Sequence, residues 1–134
     1  MAKNQQQKRA ECALKRIQKL VNDNNTKNII KSYAHAFPAM IQMNGLGQAA
    51  AFYLSKGDEH KQLYRILSDW LTMSDQPYGG KNDLLHGITE GDMHQYRVAQ
   101  AEALLLLEWV KRFASVYFED KPEEQGETRN DRER

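Results

Sequence analysis

Residues 38–53 read PAMIQMNGLGQAAAFY, from Pro38 to Tyr53. Proline suits the first turn of a helix, where its missing N–H would lack a partner anyway, so Pro38 predicts a helix start. Asn44 and Gly45 predict its stop, because both residue types tolerate the left-handed conformation that closes helices. A second helix then opens at Leu46 and presents small residues. The stretch reads as a short helix, a sharp corner and a second helix packed close by, which is a corner of a helical bundle. It holds no nucleophile, no metal-ligand pair and no phosphate-cradling loop followed by Lys and Ser or Thr.

Outward from this corner, helical periodicity dominates and strand signals are absent. Ala10, Ala13, Leu14, Ile17, Leu20 and Val21 share one face of a first helix. Asn22, Asp23, Asn24 and Asn25 end it, because their side chains compete for backbone hydrogen bonds. A second helix is expected over 26–36, stopping before Pro38, since a residue preceding proline disfavours helical geometry. The helix opened at Leu46 ends at Lys56 and Gly57, and Asp58 is a good N-cap for the next one. There Leu63, Ile66, Leu67 and Trp70 form an apolar stripe, with Lys61, Arg65, Ser68 and Asp69 opposite. Pro77, Gly79 and Gly80 make 74–82 a loop, 83–88 forms a short helical turn, and Asp92 opens the last helix.

That last helix is apolar on more than one face: Val98, Ala99, Leu105, Leu106, Trp109, Val110, Phe113, Val116 and Tyr117 spread around it. A helix hydrophobic nearly all round is a buried one, so it is expected at the centre, with Trp109 deep in the core. The fold class is therefore all-α: a compact bundle of five or six helices around a hydrophobic C-terminal central helix. One domain is expected over 1–120. Residues 121–134 are expected to be a disordered charged tail, because this polar segment cannot support a core.

A chain of 134 residues is one domain by length. Cys12 is the only cysteine, which excludes an intrachain disulfide and fits a reducing compartment. Arg9, Lys15 and Arg16 lie near it in sequence and could lower its pKa; the reading is an inert surface thiol. No apolar run approaches the roughly 18 residues a membrane span needs, and the N-terminus lacks the apolar core of a signal peptide, so a cytoplasmic location is expected. Net charge is +1, which alone does not suggest nucleic acid. Its distribution does. Residues 1–31 carry eight cations against Glu11 and Asp23, net +6, while 119–134 carry seven acids against four cations, net −3. Such asymmetry points to polyanion contact at one end.

Catalysis finds little support. None of His35, His60, His86 and His94 pairs with a second ligand at clean helical i, i+4 spacing, and Gly91 interrupts Glu90 and His94, so no metal site is expected. Nothing marks Ser32, Ser55 or Ser68 as strained or activated. Gly45 and Gly47 lack the third glycine and the preceding strand of a dinucleotide fingerprint. No catalytic residue and no cofactor is assigned. Glu102 falls near the apolar side of the last helix, where a carboxylate needs a partner; it reads as an acceptor for a neighbouring backbone or an arginine. The best functional candidate is a basic face. Lys8, Arg9, Lys15, Arg16 and Lys19 fall within about one-third of the first helix's circumference, with Glu11 just outside. A solvated face is the ordinary meaning of such charges. Lys111 and Arg112 add a second basic element, although Glu108 can pair with Arg112 at i, i+4.

The corner also carries a resemblance. Pro38, then Ile41, Asn44-Gly45-Leu46, Gln48 and Phe52 are similar to a signature of the small subunit of type III-B CRISPR effector complexes, the Cmr or RAMP-module complexes. Leu84, Leu85, Ile88 and Tyr96, followed by 102–114 (EALLLLEWVKRFA), look like that family's closing helix, and Tyr64, Leu67, Trp70 and Leu71 fit an amphipathic helix between them. Order and spacing agree over 9–114. The resemblance implies a non-catalytic subunit of an RNA-guided antiviral ribonucleoprotein. Such subunits stack in a filament against backbone and large subunits and line the path of guide RNA and target RNA. Under that implication the RNA-binding residues are Lys8, Arg9, Lys15, Arg16, Lys19, Lys111 and Arg112. Two other readings stand beside it: a helical protein–protein adaptor without RNA contact, and a small enzyme built around Glu102 or a histidine.

Overall fold

Asn4 and Asp92 start the first and last helices in the same way. The Asn4 side chain accepts from Gln7 N at 2.8 Å and Gln7 Oε1 accepts from Asn4 N at 3.0 Å; Asp92 and Gln95 repeat the exchange at 2.8 and 3.0 Å. These are reciprocal capping boxes, which satisfy N–H groups that a helix start leaves unpaired. The computed structural model describes residues 2–118. Among them the chain forms six helices and no strand: α1 (Gln5–Asn22), α2 (Ile30–Asn44), α3 (Leu46–Ser55), α4 (Asp58–Leu71), α5 (Leu84–Glu90) and α6 (Met93–Tyr117). The expected charged tail, 121–134, lies outside the described residues.

The all-α bundle is present, and α6 is its central element: it packs against α1, α2, α3 and α4. His35 of α2 meets Ser115 near the end of α6, and Leu46, just beyond α2, meets Gln100 near its start, so α2 runs antiparallel to α6. Ala13, Ala34, Ala49, Ala50, Ala99, Ala103 and Ala114 are all fully buried. Small residues at these contacts let helix axes approach closely, and Ile17, Phe37, Ile41, Leu63, Leu67, Leu106, Leu107 and Val110 fill the space between them.

Four expectations fail in instructive ways. Pro38 does not open a helix; it lies inside α2, which runs unbroken from Ile30. Phe37 and Pro38 are both buried there, and the Phe37 ring stacks on Tyr53 with centroids 3.8 Å apart. That packing offsets the roughly 3 kcal/mol an interior proline costs. Trp109 is only half-buried, at the outer edge of α6 rather than in the core. Ser68, placed on the polar side of α4, is buried and its Oγ accepts from Leu84 N at 2.9 Å, joining α4 to the start of α5. Asp58 is the first residue of α4, with Gly57 in the cap position.

The Asn44-Gly45 corner forms as read. Gly45 has φ +88°, and a Cβ there would stand 3.1 Å from the Tyr96 hydroxyl. α3 has no side-chain cap of its own. Its first N–H groups are met from α6 instead: Leu46 N donates to Gln100 Oε1 and Gly47 N to the Tyr96 hydroxyl, each at 2.9 Å. The corner is thus docked onto the central helix by hydrogen bonds as well as by apolar contact.

Candidate functional site

The five α1 cations fall into three situations. Arg9 turns inward. Its Nε and Nη2 donate to the two Glu102 carboxylate oxygens at 2.6 and 2.9 Å, and Trp70 Nε1 donates to the same carboxylate at 2.8 Å. The Arg9 and Glu102 side chains are only 15% and 11% exposed. Glu102 is therefore a structural acceptor joining α1, α4 and α6, and its hydrogen bond holds the Arg9 guanidinium even more firmly protonated than usual. Lys8, Lys15 and Arg16 stay at the surface beside carboxylates: Asp75 at 3.7 Å, Glu11 at 3.1 Å and Asp69 at 2.7 Å. Lys3 shares Glu11 at 2.8 Å, and the two lysines hold that carboxyl below its usual range. Lys19 is exposed and has no such partner among the described residues.

On α6, Glu108 pairs with Lys111 at 3.3 Å, not with Arg112. Arg112 is exposed and carries no ion pair among the described residues. It stands beside Trp109, Leu105 and Gln6 in an open cleft between α1 and α6. The structure thus keeps Lys8, Lys15, Arg16 and Lys19 on one solvent-facing side, takes Arg9 out of it, and sets Lys111 and Arg112 on a different helix.

Sequence reasoning missed a second surface. Val98, Leu105 and Val116 form an exposed apolar row along α6. Half-buried Trp109 and Phe113 stack within it, 5.7 Å between centroids. The signal is in the sequence: α6 has more apolar residues than one core-facing stripe needs, and the surplus forms this surface rather than more core.

The arrangement offers no activated nucleophile at its one His–Ser contact among the described residues. His35 Nε2 lies 2.7 Å from Ser115 Oγ, but that hydroxyl donates to Lys111 O at 3.1 Å. Burial and the neighbouring Lys111 and Lys31 push the His35 pKa down. Burial pushes the Cys12 thiol up, away from the thiolate. No cluster of three metal-ligating side chains occurs among the described residues. No helix among them is long and apolar enough to cross a membrane.

A family described as "CRISPR-associated protein (Cas_Cmr5)" matches residues 5–117, from the start of α1 to the end of α6. The protein named CRISPR system Cmr subunit Cmr5 from Thermus thermophilus is 33% identical over 91 residues, spanning 67% of this chain and 75% of the relative. The crystal structure of a CRISPR-associated Cmr5 family protein from the same organism superposes with a TM-score of 0.70 at 25% identity, covering 87% of this chain and 100% of the other.

Proposed function

The chain belongs to the Cmr5 family of small Cmr subunits of type III-B CRISPR complexes, and from that premise we propose that it is a non-catalytic subunit which stacks in a filament lining and stabilising the guide RNA–target RNA path. One observation carries the reading. A single small bundle holds a cationic side on α1 and an uncovered apolar row on α6, while the polar cluster in its interior, Arg9–Glu102–Trp70, is fully engaged in holding three helices together. The apolar row suits packing against copies of itself and the neighbouring backbone and large subunits. The cations suit phosphates, which are contacted through position and charge without catalytic groups.

Each subunit then contributes few phosphate contacts. Its own RNA affinity is weak and salt-sensitive, with a log–log slope of roughly −0.7 to −0.9 per contact. Several stacked copies gain strength through effective concentration.

A protein-only adaptor is the second reading, favoured by the carboxylates that hold Arg9, Arg16, Lys15 and Lys8. A filter-binding salt titration of complexes carrying wild-type or Lys15→Glu/Arg16→Glu/Lys19→Glu subunits separates the two. The RNA reading expects weaker capture, a shallower salt slope and unchanged cleavage of bound target. Identical affinities and slopes favour the adaptor.

A further inference from the structure

The cationic side of α1 does not end at α1. α1 and α4 run antiparallel: Lys8 meets Asp75 just beyond α4, Arg16 meets Asp69 within it, and Asn22 and Asp23 lie near Gln62. Between the two helices runs an open groove. Leu20 and Ile66, both buried, form its floor. Its walls hold Lys15, Arg16 and Lys19 together with amides, Gln18 and Asn22 from α1 and Gln62 from α4. Asp23 also lines it; its carboxylate accepts from Asn25 N at 2.9 Å and stays negative, so a phosphate is expected at the Lys19 end of the α1 wall on the side away from it. Arg65 does not line the groove itself; it lies on α4 three residues after Gln62 and one helical turn before Asp69, on the outer flank of the α4 wall. It is exposed and has no ion-pair partner among the described residues.

We propose that this groove seats a ribose-phosphate backbone, with Lys19 in the α1 wall and Arg65 on the outer flank of α4 as the two cations that meet phosphate oxygens from its two sides. The inference rests on the RNA-path reading and adds to it a second helix and a specific residue, Arg65. Lys19 and Arg65 are the pair to use because neither must break an existing ion pair to bind. Arg16 would have to leave Asp69, and Lys15 would have to leave Glu11. The amides fit the same occupant, since they donate to phosphate or sugar oxygens and can accept from a 2′-hydroxyl. An acidic peptide fits less well. It would meet the same cations, but it brings no 2′-hydroxyl for the amides to accept from, and the buried two-residue floor gives its side chains no apolar anchor.

The test uses the assembled complex with guide RNA and a labelled complementary target RNA. Subunits carry Lys19→Glu, Arg65→Glu or, as a control, Arg97→Glu. Arg97 is also without an ion pair among the described residues, but it lies beside Tyr96 and Gln100 on α6, away from the groove. Far-UV circular dichroism checks that each variant keeps its helices. Lys19→Glu and Arg65→Glu should each weaken capture and lower the magnitude of the salt slope by about 0.7–1 per subunit contact. Arg65→Lys should restore most of the loss, and Arg97→Glu should leave both quantities unchanged.

An Arg65→Glu complex indistinguishable from wild type overturns the groove. If the α1 triple reversal still weakens binding in that case, the RNA-path reading survives without it; if the triple reversal is also silent, both fall. Equal loss with Arg97→Glu overturns the groove as well, because net charge then explains the effect. So does competition by oligo-glutamate as effective as that by an RNA of equal charge.

Discussion

Leu105 and Leu107 sit two residues apart on α6, yet Leu107 is fully buried and Leu105 is 49% exposed. The whole helix divides this way. Its inner side carries Ala99, Ala103, Leu106, Leu107, Val110 and Ala114, all with no exposure, and its outer side carries Val98, Leu105 and Val116. Alanines are thus frequent inside, where α1, α2 and α4 approach closely, while several large apolar residues face outward. A free monomer gains little from an outward leucine. An exposed apolar row of this kind is what an interaction surface offers a partner, and it is the face to which the proposed packing is assigned. The apolar content of a helix therefore shows how much surface it can bury, and only the neighbouring helices show how much it buries by itself.

The largest effect should come from the one charged group on the inner margin. Glu102→Ala removes the acceptor of both the Arg9 guanidinium and Trp70 Nε1, leaving a charge and an indole N–H unpaired at a largely buried junction. Breaking such a pair costs about 3–5 kcal/mol. Both side chains keep some solvent contact, which favours the lower end. Urea denaturation measures it, and a loss below about 1 kcal/mol would mean the three-helix junction is held by packing alone. Next comes the core itself: Leu107→Ala should cost about 2–5 kcal/mol. Trp109→Ala, which the sequence alone would rank beside it, should cost clearly less, because the half-buried ring leaves no closed cavity behind. If Trp109→Ala proves the more damaging, the division of α6 into two faces is drawn in the wrong place.

His35 stands on the border between the faces and gives a smaller, pH-dependent effect. It packs against α6 near Ser115, Lys111 and Glu108, with Lys31 one turn earlier on α2. Burial first, then Lys111 and Lys31, lower its pKa below the ordinary value of 6.5. The folded protein then binds fewer protons at this site than the unfolded chain. By linkage the contribution is fully present above about pH 6.5 and is lost as pH falls through the lowered value. Thermal melts between pH 7.5 and 5 should show a shallower pH dependence in His35→Gln than in wild type. An unchanged slope would remove His35 from the titration.

What the sequence made legible was local. Asp92 as a helix start, Asn44-Gly45 as a stop and Leu63, Ile66, Leu67 and Trp70 as a buried stripe each rest on interactions within a turn or two, and each appears in the fold. Apart from the one-residue shift of the α4 cap from Asp58 to Gly57, the misreadings depend on partners distant in the chain. Pro38 stays helical because Phe37 finds Tyr53. Arg9 leaves the basic face because Glu102 lies 93 residues away, a distance no helical wheel spans. Glu102 itself was legible as an acceptor, since a carboxylate near an apolar face needs a donor; the identity of the donors was not. For the cations, a wheel could show which share a side of α1, but not that Lys19 alone among the five is free of a carboxylate among the described residues.

The smallest effect on stability should be the most informative about the outer face. Val116 is 70% exposed and Leu105 half exposed, so truncating them to alanine removes little area that folding itself buried. The double variant Leu105→Ala/Val116→Ala should lose no more than about 1 kcal/mol in urea denaturation. Its circular dichroism should match wild type. In a stacked filament the same atoms are covered, and the change should then appear as lost incorporation when the tagged large subunit is purified with its partners. Stability and assembly therefore part company at this face, whereas Leu107→Ala should lower both together. A double variant that assembles at the wild-type level would show that the partners grip the bundle elsewhere. A double variant that unfolds would show that the outer row belongs to the core after all.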